Sequence, residues 1–431
     1  MSVSPARRAA FRELTELFRS DRFANLTLDS AEKKYDLTAR DKSLFTRLLF
    51  GVIERKITVD YLLSRFTDKP VNRLDPAVLV ALEMGLYQIL YLERIPESAA
   101  VNDCVSLVKE RAPYSAGFVN AVLRRAIREK ASVPGMLDLP GSKGMAIREG
   151  YPRYLVSAWA EQYGRDKAQE ICRAQNAPAA LTVRVNTLKI SRGDYADLLA
   201  ADGIPFHVSA LCENGLTLET SLFPGELPGW SEGLVFVQDA AAQFAAEQLG
   251  AKPGETVLDL CAAPGGKSFS VAMDMEDRGT LLALDLYPKR VDLIRQGAQR
   301  LGIRCITAET GDAAQVMPDW IGKADRVLCD VPCSGSGVIA KKPDIRLKKK
   351  EELASLPVLQ LSILEAGSCA LRPGGRLVYA TCTLNRRENE DVTAAFLASH
   401  PAFHRTGEPV TIFPKAGEND GFFVDVLERD L

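Results

Sequence analysis

The sequence predicts a multidomain protein: an all-α N-terminal domain, a small α+β module, and a C-terminal α/β domain on a parallel, doubly wound sheet. Three observations carry this. Apolar residues recur at helical spacing up to about residue 130, the pattern turns mixed over 151–235, and from 236 short apolar runs alternate with helical segments. At 431 residues the chain exceeds one ordinary domain, and 46% hydrophobic residues suffice for a core in each part.

In the first region (1–132), Ala10, Leu14, Leu17 and Phe18 share one helix face, and Leu44, Phe45, Leu48, Leu49 and Val52 share another. Thr38 stands three residues before Asp41 as a cap, and Asp75-Pro76 opens a third helix carrying Leu79, Leu82, Leu86 and Ile89. A last helix over 117–130 ends in Arg124, Arg125 and Arg128, either a phosphate-facing stripe or a charged outer face. Residues 133–150 hold Pro134, Gly135, Pro140, Gly141 and Gly144 and suit a linker. The module (151–235) opens with two helical segments. An alternating run over 181–188, a helix near 195–201 and a short strand at 216–218 follow. In the last region (236–431), strands are expected at 257–261, 281–284, 305–308, 326–329 and 376–380, with 422–427 as an antiparallel edge.

Net charge is −2 and argues for no polyanion partner by itself. Residues 1–130, however, hold 22 Lys/Arg against 17 Asp/Glu, a basic excess of 5 that fits either nucleic acid or a solvated helical surface. No apolar run approaches the ~18 residues that span a bilayer, so no membrane association is expected. Arg7, Arg8 and Arg12 are followed by Glu13 and Glu16, as in an amphipathic helix rather than a targeting segment. Nine cysteines without a Cys-x-x-Cys pair argue for reduced cytoplasmic thiols and against a zinc site. Cys104, Cys172, Cys305, Cys329 and Cys369 are expected as buried small hydrophobes.

The most informative segment runs Asp259-Leu260-Cys261-Ala262-Ala263-Pro264-Gly265-Gly266-Lys267-Ser268, where the first strand turns into a helix. Small residues let the backbone approach a ligand there, and Asp285, closing the second strand, suits two ribose hydroxyls. A P-loop would need glycine at 261, which is Cys261, and a Gly-x-Gly-x-x-Gly dinucleotide turn is absent. S-adenosylmethionine, which lacks a pyrophosphate, fits best. Asp312 closes the third strand, as a contact for the adenine amino group or as a turn residue.

Two further strands end in Cys329-Asp330-Val331-Pro332-Cys333 and Thr381-Cys382-Thr383. Open α/β sheets hold ligands at such ends, so two thiols and a carboxylate converge beside the methyl donor. A thiolate adding to carbon-6 of cytosine makes carbon-5 nucleophilic, and a carboxyl group near the ring nitrogen orients the base. Beyond them, Lys341, Lys342, Arg346, Lys348, Lys349 and Lys350 suit a phosphate backbone or a solvated helix start.

With these motifs, Gln238-Asp239-Ala240-Ala241-Ala242, Asp420-Gly421-Phe422-Phe423 and the N-terminal helices around Phe118–Arg125, the chain closely resembles the bacterial 16S ribosomal RNA (cytosine-5)-methyltransferases of the RsmB/Fmu (Sun) type. The resemblance implies a NusB-like RNA-binding N-terminal domain and a Rossmann-like S-adenosylmethionine-dependent methyltransferase domain. It implies Cys382 as nucleophile, Cys333 as the thiol assisting release, and Asp330 near the cytosine. The cofactor is then expected on Cys261, Ala262, Ala263, Pro264, Gly265, Gly266, Lys267, Asp285, Arg290, Asp312 and Asp330. Val331, Gly335-Ser336 and Thr383 depart from the usual pattern without removing a functional group. The expected partner is 16S ribosomal RNA or a small-subunit assembly intermediate, with the protein a cytoplasmic monomer acting on a single-stranded or loop cytosine. The alternatives are another RNA (transfer RNA or 23S), a DNA cytosine target, or a catalytically silent ribosome-assembly factor.

Overall fold

Helix starts follow the capping residues. The computed structural model describes residues 3–19, 34–220 and 222–431, so part of the expected helical stretch at 20–33 lies outside them. After α1 (Pro5–Leu17), Thr38 accepts the Asp41 N–H at 3.2 Å and opens α2 (Ala39–Phe66). The Asp75 carboxylate accepts the Ala77 N–H at 2.8 Å, with Pro76 in the first turn of α3 (Pro76–Tyr91). This third helix is buried nearly all round, and α1, α2, α4 (Glu97–Arg111) and α5 (Ala116–Arg128) pack about it. On α5, Arg124 and Arg128 are exposed, but Arg125 pairs with Glu129 at 2.8 Å and reaches the Phe66 carbonyl.

The described residues form two compact units, 1–176 with 341–348 and 177–340 with 349–431. Residues 133–150, expected as a linker, instead carry α6 (Val133–Leu137) and α7 (Gly141–Glu149) in the first unit. Pro134, Pro140 and Gly141 sit at helix starts, while Gly135 and Gly144 lie within the helices. Pro134 sits in a first turn, where a missing N–H costs nothing, and Gly150 ends α7 at φ +80°. Two more helices, α8 (Arg153–Tyr163) and α9 (Arg165–Ala174), belong to the same unit.

The basic run at 341–350 needs a correction at Arg346, which does not face phosphate. It is 3% exposed, inside the first unit. Its Nη1 donates to the Glu54 carbonyl at 2.8 Å and the Gly150 carbonyl at 3.2 Å, and Nη2 donates to Tyr151 Oη and Asn176 Oδ1. The guanidinium lies 3.9 Å from the Tyr151 ring centroid. Its planar fork meets a ring of acceptors that no lysine could span, which is why this cation alone turns inward. Lys342, Lys349 and Lys350 are exposed.

In the second unit, a four-stranded antiparallel sheet comprises β1 (Leu181–Val185), β2 (Phe206–Val208), β3 (Gly215–Leu218) and β4 (Val235–Val237), in the order β2-β3-β1-β4. Helix α10 (Arg192–Ala201) packs Tyr195 and Leu199 against it. Then α11 (Ala240–Glu247) leads into the large sheet: β5 (Thr256–Asp259), β6 (Thr280–Asp285), β7 (Ile306–Thr310), β8 (Ala324–Asp330) and β9 (Leu371–Thr381). These five run parallel in the order β7-β6-β5-β8-β9. β5, β6 and the ends of β8 and β9 are apolar and buried because α12 (Gly266–Asp274), α13 (Pro288–Leu301), α14 (Leu356–Ala370) and α15 (Glu390–Ser399) shield the sheet, whereas edge strand β7 buries only Ala308. The closing run is antiparallel to β9, but it is not an edge. This last strand, β12 (Phe422–Arg429), is itself covered by β10 (Phe403–Arg405) and β11 (Val410–Ile412).

By composition alone, residues 350–370 form a helix long and apolar enough to cross a membrane. Within the unit, Ile363, Leu364 and Ala370 are buried with Val327, Leu371 and Leu377 in one core cluster, as in a core helix. Cys369, on the same helix, is exposed rather than buried, because its side chain points away from that cluster.

Candidate active site

The chain runs outward from the middle of the sheet in both directions, so the order reverses between β5 and β8. A crevice at the carboxyl ends of the strands is the geometric result, and it is where such sheets bind ligands. The turn from Cys261 to Lys267 leaves β5 there. Gly265 has φ +110°, and a Cβ on it would lie 2.3 Å from Phe269 Cζ, so neither the backbone angle nor the space admits a side chain. Behind the turn, Asp259 accepts the Ser268 hydroxyl at 2.6 Å while its Oδ1 is buried without a partner. Burial pushes this carboxyl up to about 7, against the opposing Ser268 bond.

Asp285 closes β6 with a carboxylate 3% exposed, taking the Tyr287 N–H at 3.1 Å and lying 3.1 Å from Arg290 Nη1. Arg290 also donates to the Ala263 carbonyl at 2.6 Å and so ties the turn to β6. Asp312 is exposed, and its carboxylate accepts the Ala314 N–H at 3.0 Å and Gln315 Nε2 at 3.2 Å. That is the work of a turn residue.

The remaining groups come from β8 and β9, whose register pairs Asp330 with Ala380. Cys333 Sγ and Cys382 Sγ lie 3.2 Å apart, both as free thiols. Lys267 Nζ donates to Asp330 Oδ2 at 2.6 Å and stands 4.8 Å from the Phe422 ring centroid. Burial alone would lower the lysine, but Asp330 outweighs it and holds the ammonium above its ordinary value. The Cys333 thiol is pushed well up, first by its hydrogen bond to Cys382, then by burial and by the Cys382, Glu388 and Asp330 charges. Cys333 is therefore protonated near neutrality.

Beneath the sulfurs lies a buried polar network that residue spacing did not reveal. Thr383 Oγ1 meets Ser334 Oγ at 2.7 Å and Ser336 Oγ at 2.8 Å. Glu388 takes the Ser334 N–H, Gln360 Nε2 and Asn385 Nδ2, and Thr381 Oγ1 donates to Asn389 Oδ1 at 2.6 Å. The signal was the polar run Asn385–Glu390 straight after an apolar strand, at a place where the chain must bury its ends.

Comparison with known proteins follows the same division. The family description "16S rRNA methyltransferase RsmB/F" matches residues 246–428, a NusB family description matches 4–128, and an RsmF/B-like ferredoxin-like domain matches 151–222. A Bacillus subtilis (strain 168) protein is 37% identical, with 100% of each chain covered. The chain belongs to the RsmB/F family. Another RsmB/F relative, the Vibrio cholerae ribosomal RNA small subunit methyltransferase B, is 34% identical over 100% of this chain and 98% of its own. The crystal structure of PH0851 superposes with a TM-score of 0.82 at 25% identity, over 100% of both chains. A methyltransferase homolog protein from Pyrococcus horikoshii gives 0.61 at 27% identity, over 68% of this chain and 100% of its own. The NusB-like domain, small α+β module and Rossmann-like domain expected from the sequence follow one another in that order, the module matching the ferredoxin-like description.

Proposed function

We propose that the protein transfers a methyl group from S-adenosylmethionine to carbon-5 of a cytosine in 16S ribosomal RNA, through a covalent adduct between Cys382 and carbon-6. The observation carrying this reading is the pair of sulfurs 3.2 Å apart, in the loops that leave the neighbouring strands β8 and β9, with Asp330 at the end of β8 bonded to Lys267.

The residues present fit the cofactor. The turn at Gly265 admits no side chain, Asp285 offers a buried carboxylate, and Gln238 Nε2 and Asp259 Oδ1 are buried without hydrogen-bond partners beside that turn. Cys261–Lys267, Asp285 and Asp330 would hold it, Arg290 would brace the turn, and Asp312 would serve from the rim. When bound, the cofactor supplies a methyl group on a sulfonium.

On the base, Cys382 gives its proton to solvent and its sulfur bonds to carbon-6, which breaks the carbon-5–carbon-6 π bond and leaves carbon-5 nucleophilic. Asp330 orients the ring. Lys267 occupies Oδ2, while Oδ1 receives no hydrogen bond from the described residues. After transfer, the carbon-5 proton leaves to solvent base and the carbon–sulfur bond breaks. Cys382 departs as a thiolate, and the Cys333 S–H at 3.2 Å is in reach to reprotonate it. Family membership and the basic excess of the N-terminal region support ribosomal RNA as substrate, and with it a cytoplasmic place of work. The test is to map 5-methylcytosine on ribosomal RNA from cells with and without the protein. Loss of one 16S site is expected, whereas an unchanged 16S map alongside a lost transfer-RNA or 23S site would overturn the substrate.

A further inference from the structure

The Cys333 loop is clamped on both sides of the cysteine. Gln360 Nε2 donates to the Pro332 carbonyl at 2.9 Å, just before Cys333, and Glu388 Oε2 accepts the Ser334 N–H at 2.7 Å, just after it. The two clamps are joined, since the same Gln360 Nε2 reaches Glu388 Oε2 at 3.1 Å. Glu388 is fully buried, and its other oxygen takes Asn385 Nδ2 at 2.8 Å. Its backbone carbonyl accepts the Tyr379 hydroxyl at 2.5 Å, three residues before Cys382. No cation pairs with this carboxylate among the described residues, so three N–H donors alone offset its burial. A buried carboxylate without a counter-ion is costly, and apolar packing alone gives no reason for one here.

We propose that Glu388, braced by Gln360, is a positioning residue that holds Cys333 opposite Cys382 for the release step. The inference rests on the function proposed above. Without the clamp, the peptide groups flanking Cys333 lose their fixed partners, and its sulfur wanders from Cys382. Misplacement of about 1 Å costs on the order of 100-fold in a positioned step. Adduct formation by Cys382, which Glu388 does not hold through its side chain, is affected less.

The test uses the full-length protein with S-adenosylmethionine and a 16S ribosomal RNA transcript. Glu388→Ala is expected to slow turnover by about 10- to 100-fold while a protein–RNA adduct accumulates on denaturing gels. Glu388→Gln keeps an acceptor for the Ser334 N–H and is expected to restore most turnover. Iodoacetamide labelling without RNA, read by mass spectrometry, should show Cys333 exposed faster in Glu388→Ala, with Cys382 changed less. Wild-type turnover in Glu388→Ala, or equal loss of adduct formation and release, overturns the proposal. If Glu388→Ala fails to fold, Gln360→Leu is read by the same assays, and wild-type behaviour there overturns it. Absence of methyl transfer by the wild-type protein sinks the proposed function instead. The labelling pattern then still decides whether Glu388 seats Cys333.

Discussion

Lys267 Nζ and Asp330 Oδ2 are 2.6 Å apart, and with them the turn after β5 is tied to the loop after β8. The lysine begins the helix beside the expected cofactor turn, and the aspartate begins the loop that ends in Cys333. Lys267→Met would leave a half-buried carboxylate without its ion-pair partner, so Asp330 would lose its fixed position and orient the base less well. A fall in kcat of about 10- to 100-fold with a smaller change in KM is expected, and steady-state methyl-transfer assays on the transcript check it.

The two thiols should separate by behaviour. Cys382→Ala is expected to abolish transfer and leave no adduct. Cys333→Ala should form the adduct and release it slowly, leaving a slower-migrating band on denaturing gels. The opposite pattern would exchange their roles.

Asp259 makes a prediction about pH. Its folded value of about 7 lies above the ordinary carboxyl value, so over the interval between them the folded state holds a proton that the unfolded chain releases. Its contribution is full below about 4 and is lost as pH rises through about 7. Asp259→Asn cannot ionise, so wild type should lose stability relative to this variant across that window, by up to about 4 kcal/mol. Urea melts at several pH values from 4 to 8 measure the difference, and parallel curves would contradict it.

Arg346 should matter for stability rather than for RNA. Arg346→Ala orphans the Glu54 and Gly150 carbonyls and Asn176 Oδ1, a loss of about 3 kcal/mol or more. Arg346→Lys recovers only part, because one ammonium cannot reach the whole ring of acceptors. Thermal melts rank the three proteins, and equal melting temperatures would show that the buried fork contributes nothing.

Asp285 is expected to set cofactor affinity. Asp285→Ala should weaken S-adenosylmethionine binding by about 10- to 100-fold, the value of a charge-assisted hydrogen bond or two, measured by calorimetry without RNA.

Residue spacing carried the periodic features. Helical spacing, the caps at Thr38 and Asp75, and the strand–helix rhythm after 236 are local, because backbone geometry imposes them within a few residues. The Cys261–Lys267 turn and the strand-end motifs of Asp285, Asp330, Cys333 and Cys382 were legible for the same reason, since a parallel sheet sends every strand end to one side. Tertiary structure alone decided what depends on partners far away in the chain. It turned Arg346 inward onto carbonyls nearly 200 and 300 residues earlier, and made helices of 133–150. It also buried Glu388 against Ser334 and Gln360. A charge or a proline reads the same locally whether it faces water or a ring of acceptors. Only the fold supplies those acceptors, and their unmet hydrogen bonds set the choice.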